Sequence, residues 1–355
     1  METSKNKVLL GLSGGVDSTT AALLLKEKGF EVVGYYFDIT GCNEEGLAEA
    51  QAVADQVGIP LLTEDVKDLF ESVVIENFCS EYMSGRTPNP CIVCNPGVKF
   101  RRLAEKADEI GAYYIATGHY ARITKEPAET EGCLEYYYVK QAANLRKDQS
   151  YMLYRLGQGI LSRIIFPLGD FEDKEQIRDI ARSVKLSNAE KKDSQEICFV
   201  PDDDYVGYME ARGMRSKPGN YVDAEGKVLG PHKGIVHYTI GQRKGLGIAL
   251  GKPAFVTKID PKTNQVVLGS NEDLFTTSVT SRGNVFSGIE NKFLYDGMNV
   301  MAKVRYSAKP SPAVLHIYTD GSVVTEFIEP QRAATPGQSI VWYDGDHVIG
   351  GGFIE

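Results

Sequence analysis

A glycine-rich turn near the start of the chain constrains the fold more than any other feature. The run Gly11-Leu-Ser-Gly-Gly-Val-Asp-Ser18 joins a short apolar segment, Lys7–Leu12, to a segment of helical composition, Ser18–Lys28. Glycines let the backbone approach a ligand closely, and a helix N-terminus directs N–H groups at an anion. The turn lacks the Lys of the GxxxxGK[ST] loop. It therefore predicts a phosphate site unlike that of kinases; a turn that binds nothing is the alternative.

Strand and helix signals then alternate through the first half of the chain. The alternating runs, strand first, are Glu31–Phe37, Glu44–Val57, Ile59–Thr63, Val98–Ile110 and Ala112–Ala116. Glycines follow the helical runs at positions where a helix commonly ends. This order is typical of an α/β fold, in which helices cover a parallel sheet.

Two segments interrupt this rhythm. Acidic Thr124–Gly132 predicts the turn of a hairpin inserted beside the parallel sheet. Asp173 and Gln176 form a capping-box signal for a helix that runs to about Lys185.

The last part of the chain has a different pattern. After Phe199 short strands are broken by glycines, and residues 284–355 alternate as in a small antiparallel barrel. One run predicts two opposite faces, the first with Val300, Ala302, Val304 and Tyr306 and the second with Asn299, Met301, Lys303 and Arg305.

Composition limits the class of protein. The chain has 355 residues, enough for two or three domains, and its 42% apolar and 25% charged residues exclude disorder as the main state. Its apolar runs are far shorter than the ~20 residues of a membrane span, and its polar start does not resemble a signal peptide. We therefore expect a cytoplasmic protein that does not enter a membrane. Its six cysteines are then candidates for chemistry rather than for a disulfide framework.

The net charge of −9 argues against general nucleic-acid binding, but the charges are distributed unevenly along the chain. Residues 227–258 carry six Lys or Arg and no Asp or Glu. Two further basic clusters are Lys99 with Arg101 and Arg102, and Lys303 with Arg305 and Lys309. Each cluster alone is explained by a solvated face, but together they predict a salt-sensitive RNA surface.

Two cysteine motifs carry the strongest resemblance. Cys91-Ile-Val-Cys94 follows Gly85–Pro90, and Cys198 lies in Asp193–Phe199. One CxxC alone fits a redox pair, half of a zinc site or coincidence. With these motifs, further stretches resemble, in the same order, the tRNA 2-thiouridylase family of PP-loop ATP pyrophosphatases: Ala116–Tyr120, Lys147–Tyr151, Tyr238–Gly247, Pro336–Gln338 and Tyr343–Asp346.

The resemblance implies three domains. Residues 1–205 would form a PP-loop catalytic domain with a Rossmann-like parallel sheet, similar to adenine nucleotide alpha hydrolases. Residues 206–280 would form a small β-rich central domain that contacts tRNA, and residues 281–355 a C-terminal antiparallel β-barrel. We expect this chain to act as a monomer.

The resemblance also implies ATP and Mg²⁺. ATP would adenylate the C2 oxygen of the wobble uridine and release pyrophosphate, while Asp17 helps to hold Mg²⁺. The residues expected to bind ATP are Gly11, Leu12, Ser13, Gly14, Gly15, Val16, Asp17, Ser18, Phe37 and Gly118.

Sulfur transfer is assigned by the same resemblance. Cys198 would receive a persulfide from a sulfur-donor protein, either a cysteine desulfurase or a sulfur relay carrier. Cys94 would be the nucleophile that releases the sulfur and leaves a Cys94–Cys198 disulfide. Because the thiolate is the reactive species, a lowered pKa is expected at both cysteines. Cys42, Cys79 and Cys133 match no motif and are expected to be inert core residues.

The resemblance assigns tRNA contacts as well, with Asn89, Pro90 and Cys91 meeting the target base. The other expected tRNA contacts are His119, Lys147, Asp148, Gln149, Arg305, Tyr306 and Gln338. His119 also fits a hydrogen-bonded residue at a strand end.

Cys91 departs from the family pattern, in which an Asp usually stands at this position. Cys91, Cys94 and Cys198 would suit an iron–sulfur cluster with one open iron, and zinc would need a fourth ligand such as Cys79 or His119. We rank persulfide chemistry first, a cluster second and zinc third. Pro96 also replaces a usual Lys beside the nucleophile.

Two other functions stay open at this point. A synthetase that adenylates a small molecule would use the same ATP loop but would not need Cys94 and Cys198. A non-catalytic RNA- or metal-binding protein would carry the loop without using it.

Overall fold

The computed structural model describes residues 3–41, 43–129, 134–186, 188–190 and 197–355. The strands are β1 Ser4–Gly11, β2 Glu31–Asp38, β3 Leu61–Asp65, β4 Ala112–Ala116, β5 Arg122–Pro127, β6 Glu135–Lys140, β7 Ile164–Ile165, β8 Gly219–Val222, β9 Val228–His232, β10 Phe255–Asp260, β11 Gln265–Gly269, β12 Phe275–Val285, β13 Met298–Lys303, β14 Ser311–Ile317, β15 Val323–Arg332, β16 Ser339–Asp344 and β17 His347–Ile354. The α-helices are α1 Val16–Glu27, α2 Glu44–Val57, α3 Lys67–Phe70, α4 Glu76–Met83, α5 Pro90–Cys94, α6 Phe100–Glu109, α7 Gln158–Leu161, α8 Lys174–Ser183 and α9 Tyr205–Ala211. Within these ranges no helix has the length and apolar character needed to cross a bilayer.

The first sheet confirms the predicted α/β fold. Its five strands are parallel and lie in the order β3-β2-β1-β4-β7. Val8 and Leu10 pack against α1, α2 and α8, whereas Leu9 packs on the opposite face with α6. Helices therefore cover both faces, which explains why β1 is apolar at successive positions.

Two predicted helices differ in how well the sequence located them. The helix that begins at Lys174 has its capping box, in which the Asp173 carboxylate accepts from the Glu175 N–H and the Gln176 side chain accepts from the Asp173 N–H. The helix expected over Val98–Ile110 is confirmed as α6, Phe100–Glu109, but its predicted start falls in a π-helical turn, Asn95–Lys99, that follows α5 and that the sequence did not indicate.

The predicted hairpin forms beside the parallel sheet, and it pairs with a strand that the sequence did not indicate. Strands β5 and β6 are antiparallel, but β6 pairs with β17 of the C-terminal barrel and not with the parallel sheet. Asp346 explains the attachment, because its carboxylate pairs with Arg122 and Lys140 and its carbonyl accepts from Gln141. The predicted turn also starts too early, since Thr124 lies in β5, and residues 130–133 are outside the described residues.

The remaining strands form two sheets. The central sheet has the order β10-β11-β8-β9, and its core includes Tyr221, Tyr238 and Val256. Strands β12 to β17 form an antiparallel barrel that closes through β12 and β17, as predicted. Strand β12 crosses residue 280, and the division of the chain at residues 205 and 280 stays a prediction.

The predicted faces of β13 are partly wrong. Val300, Ala302 and Val304 lie in the barrel core, as expected. Tyr306 instead packs on the cluster between the barrel and the first sheet, because β13 ends at Lys303 and the alternation ends with it. Lys303 lies on the second face, as predicted, and it is buried there because this face packs against Tyr151.

Candidate active site

The glycine-rich turn is held by its own side chains. The Ser18 hydroxyl donates to the Gly15 carbonyl at 3.0 Å, and the Thr19 hydroxyl donates to the same carbonyl at 2.9 Å. Gly14 has a φ of 76°, and a Cβ there would lie 3.1 Å from the Cβ of Glu49 on α2. The backbone of this turn is therefore fixed before any ligand arrives, and Gly14 requires glycine.

A buried asparagine that the sequence did not indicate supports the same turn. Asn188 donates from its amide to the Gly14 carbonyl at 2.7 Å and to the Thr19 hydroxyl at 2.9 Å. It stands 174 residues from Gly14 in the chain, so no local motif could have paired them.

The turn opens into a cavity of about 380 Å³, called here the loop cavity. It is lined by Gly11, Leu12, Ser13, Asp17, Ser18, Tyr36, Phe37, Lys99, Thr117, Gly118, His119 and Gln149. The cavity thus collects most of the expected ATP residues from three separate segments, and its size falls within the ~300–1,000 Å³ of small-molecule sites. Gly14 and Gly15 shape the turn without lining the cavity, and Val16 is a core residue.

Gly118 lies against the N-terminus of α1. A Cβ at this position would come within 2.8 Å of the Ser18 nitrogen and 2.9 Å of the Asp17 carbonyl carbon. Both atoms belong to the backbone, so they cannot move aside cheaply. Glycine at position 118 therefore sets the width of the loop cavity.

Asp17 is held by two partners from elsewhere in the chain. The Tyr120 hydroxyl donates to one carboxylate oxygen at 2.7 Å, and the buried ammonium of Lys174 lies 3.1 Å from the other. Carboxylate oxygens are ligands that Mg²⁺ prefers, and Mg²⁺ is usually held by one or two carboxylates together with substrate phosphates. Asp17 at the edge of the loop cavity fits that requirement. The sequence did not indicate Lys174, although its position at the start of a capped helix was predicted.

The cysteine motif begins a short helix. The Asn89 side chain accepts from the Cys91 N–H at 3.2 Å and caps α5, with Pro90 in the first turn. Cys91 is exposed and Cys94, at the helix end, is half-buried. Both are free thiols, as is Cys198, which is exposed. Ile197 and Phe199 pack on the same apolar cluster as Cys94, which brings the two motifs to one region.

The electrostatics of this region contradict the expected lowering of both cysteine pKa values. Burial raises the pKa of the Cys94 thiol. Desolvation by the surrounding protein, followed by the proximity of Cys94 and Cys91, raises the pKa of Cys198 to about 11, although its side chain is exposed. The charge of Lys99 opposes the rise at both thiols without cancelling it. The expectation of lowered values was wrong because a CxxC pattern does not reveal how far its thiols are desolvated.

The metal alternatives find no support in the part of the chain that the structure describes. No group of three His, Cys, Asp or Glu side chains there could hold a metal ion. Cys79, considered as a zinc ligand, lies in the core among Phe78 and Tyr82, as expected for an inert cysteine. Cys42 and Cys133 are outside the described residues.

Several residues expected to contact tRNA have clear structural partners. The buried Asp148 carboxylate accepts from the Ala142 N–H, the Ser150 N–H and the Ser150 hydroxyl, so it organises its own loop. Gln149 lines the loop cavity while its side-chain oxygen accepts from the Tyr120 N–H at 2.9 Å.

His119 also has defined surroundings. Its Nδ1 lies 2.6 Å from the Thr117 hydroxyl, and its ring packs near Phe100 and Phe166. Burial, helped by the charge of Lys99, holds the pKa of His119 well below its usual value. The ring is therefore neutral near pH 7.

The C-terminal barrel contacts the segment that leads to the cysteine motif. The Gln338 amide donates to the Thr87 carbonyl at 2.8 Å, and the Thr87 N–H donates to the Pro336 carbonyl at 2.8 Å. The segment that leads to Asn89 is thus anchored on the barrel. Arg305 donates to the Arg332 carbonyl at 3.3 Å, and Tyr306 faces Cys91 closely enough for the thiol to affect its pKa.

The basic cluster predicted at Lys99, Arg101 and Arg102 does not form a single surface. Arg101 pairs with Glu105, and Arg102 pairs with Glu64 and Glu105. Lys99 instead lines the loop cavity. The three residues are close in sequence, but the π-helical turn before α6 directs Lys99 elsewhere.

Comparison with known proteins places this architecture in a family. Residues 6–202 match the domain described as a tRNA methyl transferase HUP domain, residues 210–270 a tRNA methyl transferase PRC-barrel domain, and residues 286–354 an aminomethyltransferase beta-barrel domain. The tRNA-specific 2-thiouridylase MnmA 1 of Caldanaerobacter subterraneus subsp. tengcongensis is 46% identical over 99% of this chain and 98% of its own. The chain belongs to the tRNA-specific 2-thiouridylase family.

Further members of the 2-thiouridylase family match as completely. MnmA of Clostridium acetobutylicum is 46% identical over 98% of this chain and 99% of its own. Among solved structures, NMN synthetase from Francisella tularensis is similar at 15% identity and a TM-score of 0.34, over 54% of this chain and 67% of that one. That likeness is too distant to add to the family assignment.

Proposed function

We propose that this chain is an ATP-dependent tRNA-uridine 2-sulfurtransferase that thiolates the wobble uridine of tRNA anticodons. The observation that carries the proposal is that the loop cavity and the two cysteines share one lysine. The loop cavity, shaped for phosphates, is lined by Lys99, and the charge of the same residue acts on Cys94 and Cys198. The relatives that match over the whole chain are named for this reaction.

The first step would activate the base. The C2 oxygen of the uridine attacks the α-phosphorus of ATP, and pyrophosphate leaves into the Gly11–Ser18 turn. Backbone N–H groups at a helix N-terminus stabilise the charge on the leaving group. Mg²⁺, held by Asp17 and the phosphates, would supply further charge neutralisation. The target base must be flipped out of its stack to reach the cavity.

The second step would transfer sulfur. The terminal sulfur of a Cys198 persulfide attacks C2, and the Cys94 thiolate attacks the Cys198 sulfur and breaks the persulfide S–S bond. The sulfur stays on C2 as AMP leaves, and a Cys94–Cys198 disulfide forms. The sulfane sulfur is reduced while the two cysteines are oxidised, so a thiol reductant must open the disulfide before the next cycle.

Partners complete the proposal. A sulfur-donor protein, a cysteine desulfurase or a relay carrier, would load Cys198. Contacts of tRNA with the residues assigned from the family, a cytoplasmic location and a monomeric working unit remain parts of this proposal.

The proposal is tested with a tRNA transcript that has a uridine at the wobble position. The protein is incubated with ATP, Mg²⁺ and a sulfur source, and the nucleosides are analysed by mass. We expect 2-thiouridine with the wild type, none with Cys198→Ala, and wild-type product with the core variant Cys79→Ala if it folds. ATP binding should survive in Cys198→Ala. Product formation by Cys198→Ala at the wild-type rate would overturn the persulfide assignment.

A further inference from the structure

Lys99 owes its position to a local irregularity of the backbone. Pro96 has no N–H to donate to the Ile92 carbonyl, so the α-helical pattern cannot continue through it. The chain instead forms the π-helical turn Asn95–Lys99 between α5 and α6. A π-turn joins residues five apart, so the Lys99 backbone lies near Cys94, and its N–H acts to lower the pKa of that thiol. Pro96 thus coincides with a turn that places the basic residue Lys99 beside Cys94.

Lys99 faces two environments at once. Its side chain lines the loop cavity together with Ser13, Asp17 and His119. Its charge also acts on the thiols of Cys94 and Cys198 and on the imidazole of His119. A cation at this position can therefore contact an anion in either place.

Lys99 is also available for an anion. Its neighbours Arg101 and Arg102 are engaged by glutamates of the α6 and β3 region. Within the described ranges Lys99 has no carboxylate at ion-pair distance. Among the described residues, Cys91 raises the pKa of Cys94, and Cys94 and Cys91 both raise the pKa of Cys198. Cys91 also raises the pKa of Tyr306 from the barrel.

We propose that Lys99 is a shared cation, which binds the phosphates of the nucleotide in the loop cavity and, once pyrophosphate has left, stabilises the thiolate of Cys94. This inference rests on the proposed function for the presence of ATP. It makes nucleotide binding and thiol reactivity antagonistic, because one ammonium cannot neutralise both anions fully. Sulfur chemistry would then follow pyrophosphate release and not precede it.

The test compares Lys99→Met, Lys99→Arg and the matched control Arg101→Met, whose parent side chain is exposed and paired with Glu105. Two quantities are measured on the whole chain: the ATP dissociation constant with Mg²⁺, and the rate of Cys94 alkylation by iodoacetamide, resolved by peptide mass. The alkylation rate is followed from pH 7 to pH 10, with and without ATP.

In the wild type and in Arg101→Met, ATP should slow alkylation of Cys94 near pH 8 about tenfold, as for a thiol pKa raised by about one unit. Lys99→Met should bind ATP about tenfold more weakly, react slowly even without ATP, and lose the effect of ATP. Lys99→Arg should restore both properties, which a purely structural loss would not predict.

Two outcomes would overturn the inference. ATP could protect Cys94 in Lys99→Met as strongly as in the wild type, which would show that the protection is steric. Lys99→Met could also bind ATP as tightly as the wild type. If the wild type itself fails to bind ATP, the proposed function fails, and the inference, which needs bound nucleotide, fails with it.

Discussion

The two halves of the candidate site are built in opposite ways. The phosphate half is a single turn of consecutive residues whose backbone is fixed by the Ser18 and Thr19 hydroxyls and by Gly118. The sulfur half combines Cys94, at the end of one helix, with Cys198, more than a hundred residues later, and both thiols have raised pKa values. The phosphate half is thus organised in advance, whereas the sulfur half becomes reactive only when a charge or a partner acts on it.

The largest expected effect comes from breaking the phosphate half alone. Gly118→Ala puts a methyl group within 2.8 Å of the Ser18 nitrogen, so the N-terminus of α1 must shift. We expect ATP binding to weaken about a hundredfold or more, since N–H groups aimed at phosphate lose their alignment. The measurement is equilibrium dialysis with labelled ATP.

The control for this variant is Gly159→Ala, because a Cβ at position 159 meets nothing within 4 Å. It should bind ATP like the wild type. Without nucleotide, alkylation of Cys198 should stay unchanged in both variants. An equal loss of thiol reactivity in Gly118→Ala would show that the two halves are not independent.

A second prediction concerns the sulfur half. Because the pKa of Cys198 is about 11, its thiolate fraction should rise about tenfold for each pH unit from 7 to 10. Alkylation of Cys198 by iodoacetamide, followed by peptide mass without nucleotide or tRNA, should rise with the same slope. A plateau near pH 8 would contradict the raised pKa. It would mean that the Cys198 thiolate forms without help, so that the sulfur half, like the phosphate half, is organised in advance.

The same contrast explains what the sequence could and could not predict. The Gly11–Ser18 turn was located correctly because each residue type has a local reason to be there: glycine for close approach, and hydroxyls that bond within the turn. The hairpin at β5 and β6 was predicted, but its attachment to the barrel was not, because Asp346, which pairs with Arg122 and Lys140, lies some two hundred residues later.

The positions of charged side chains were the least predictable feature of the candidate site. A lysine in a sequence is expected on the surface, yet Lys174 is buried against Asp17, and Lys99 turns into a cavity. In each case the position depends on tertiary packing or on a helix irregularity that local patterns do not encode. Desolvation of the cysteines likewise depends on Ile197, Phe199 and the apolar cluster around them.

The smallest predicted effect tests what attaches the barrel to the segment 148–151, which borders the candidate site. Lys303, at the end of β13, is buried with its ammonium 5.7 Å from the ring centres of both Tyr151 and Tyr306. Burial lowers its pKa, and the nearby Asp148 carboxylate opposes that change. Lys303→Met keeps most of the volume and removes the charge, so the lost cation–π attraction is partly offset by the relieved desolvation of the ammonium, and the net loss of unfolding free energy near pH 7 should stay below about 1 kcal/mol.

Urea unfolding measures this loss, with Lys309→Met, from the predicted basic cluster, as the matched control that should change stability little. A lowered pKa means that Lys303 loses its proton more readily in the folded protein than in the unfolded chain. At pH values below its ordinary pKa, keeping the Lys303 ammonium charged therefore costs the folded protein free energy. This cost should shrink as the pH rises toward 10 and the folded protein loses the proton. The stability gap between wild type and Lys303→Met should accordingly widen from pH 7 to pH 10. A gap that stays constant would mean that packing alone, and not the ammonium, attaches the barrel to the segment 148–151.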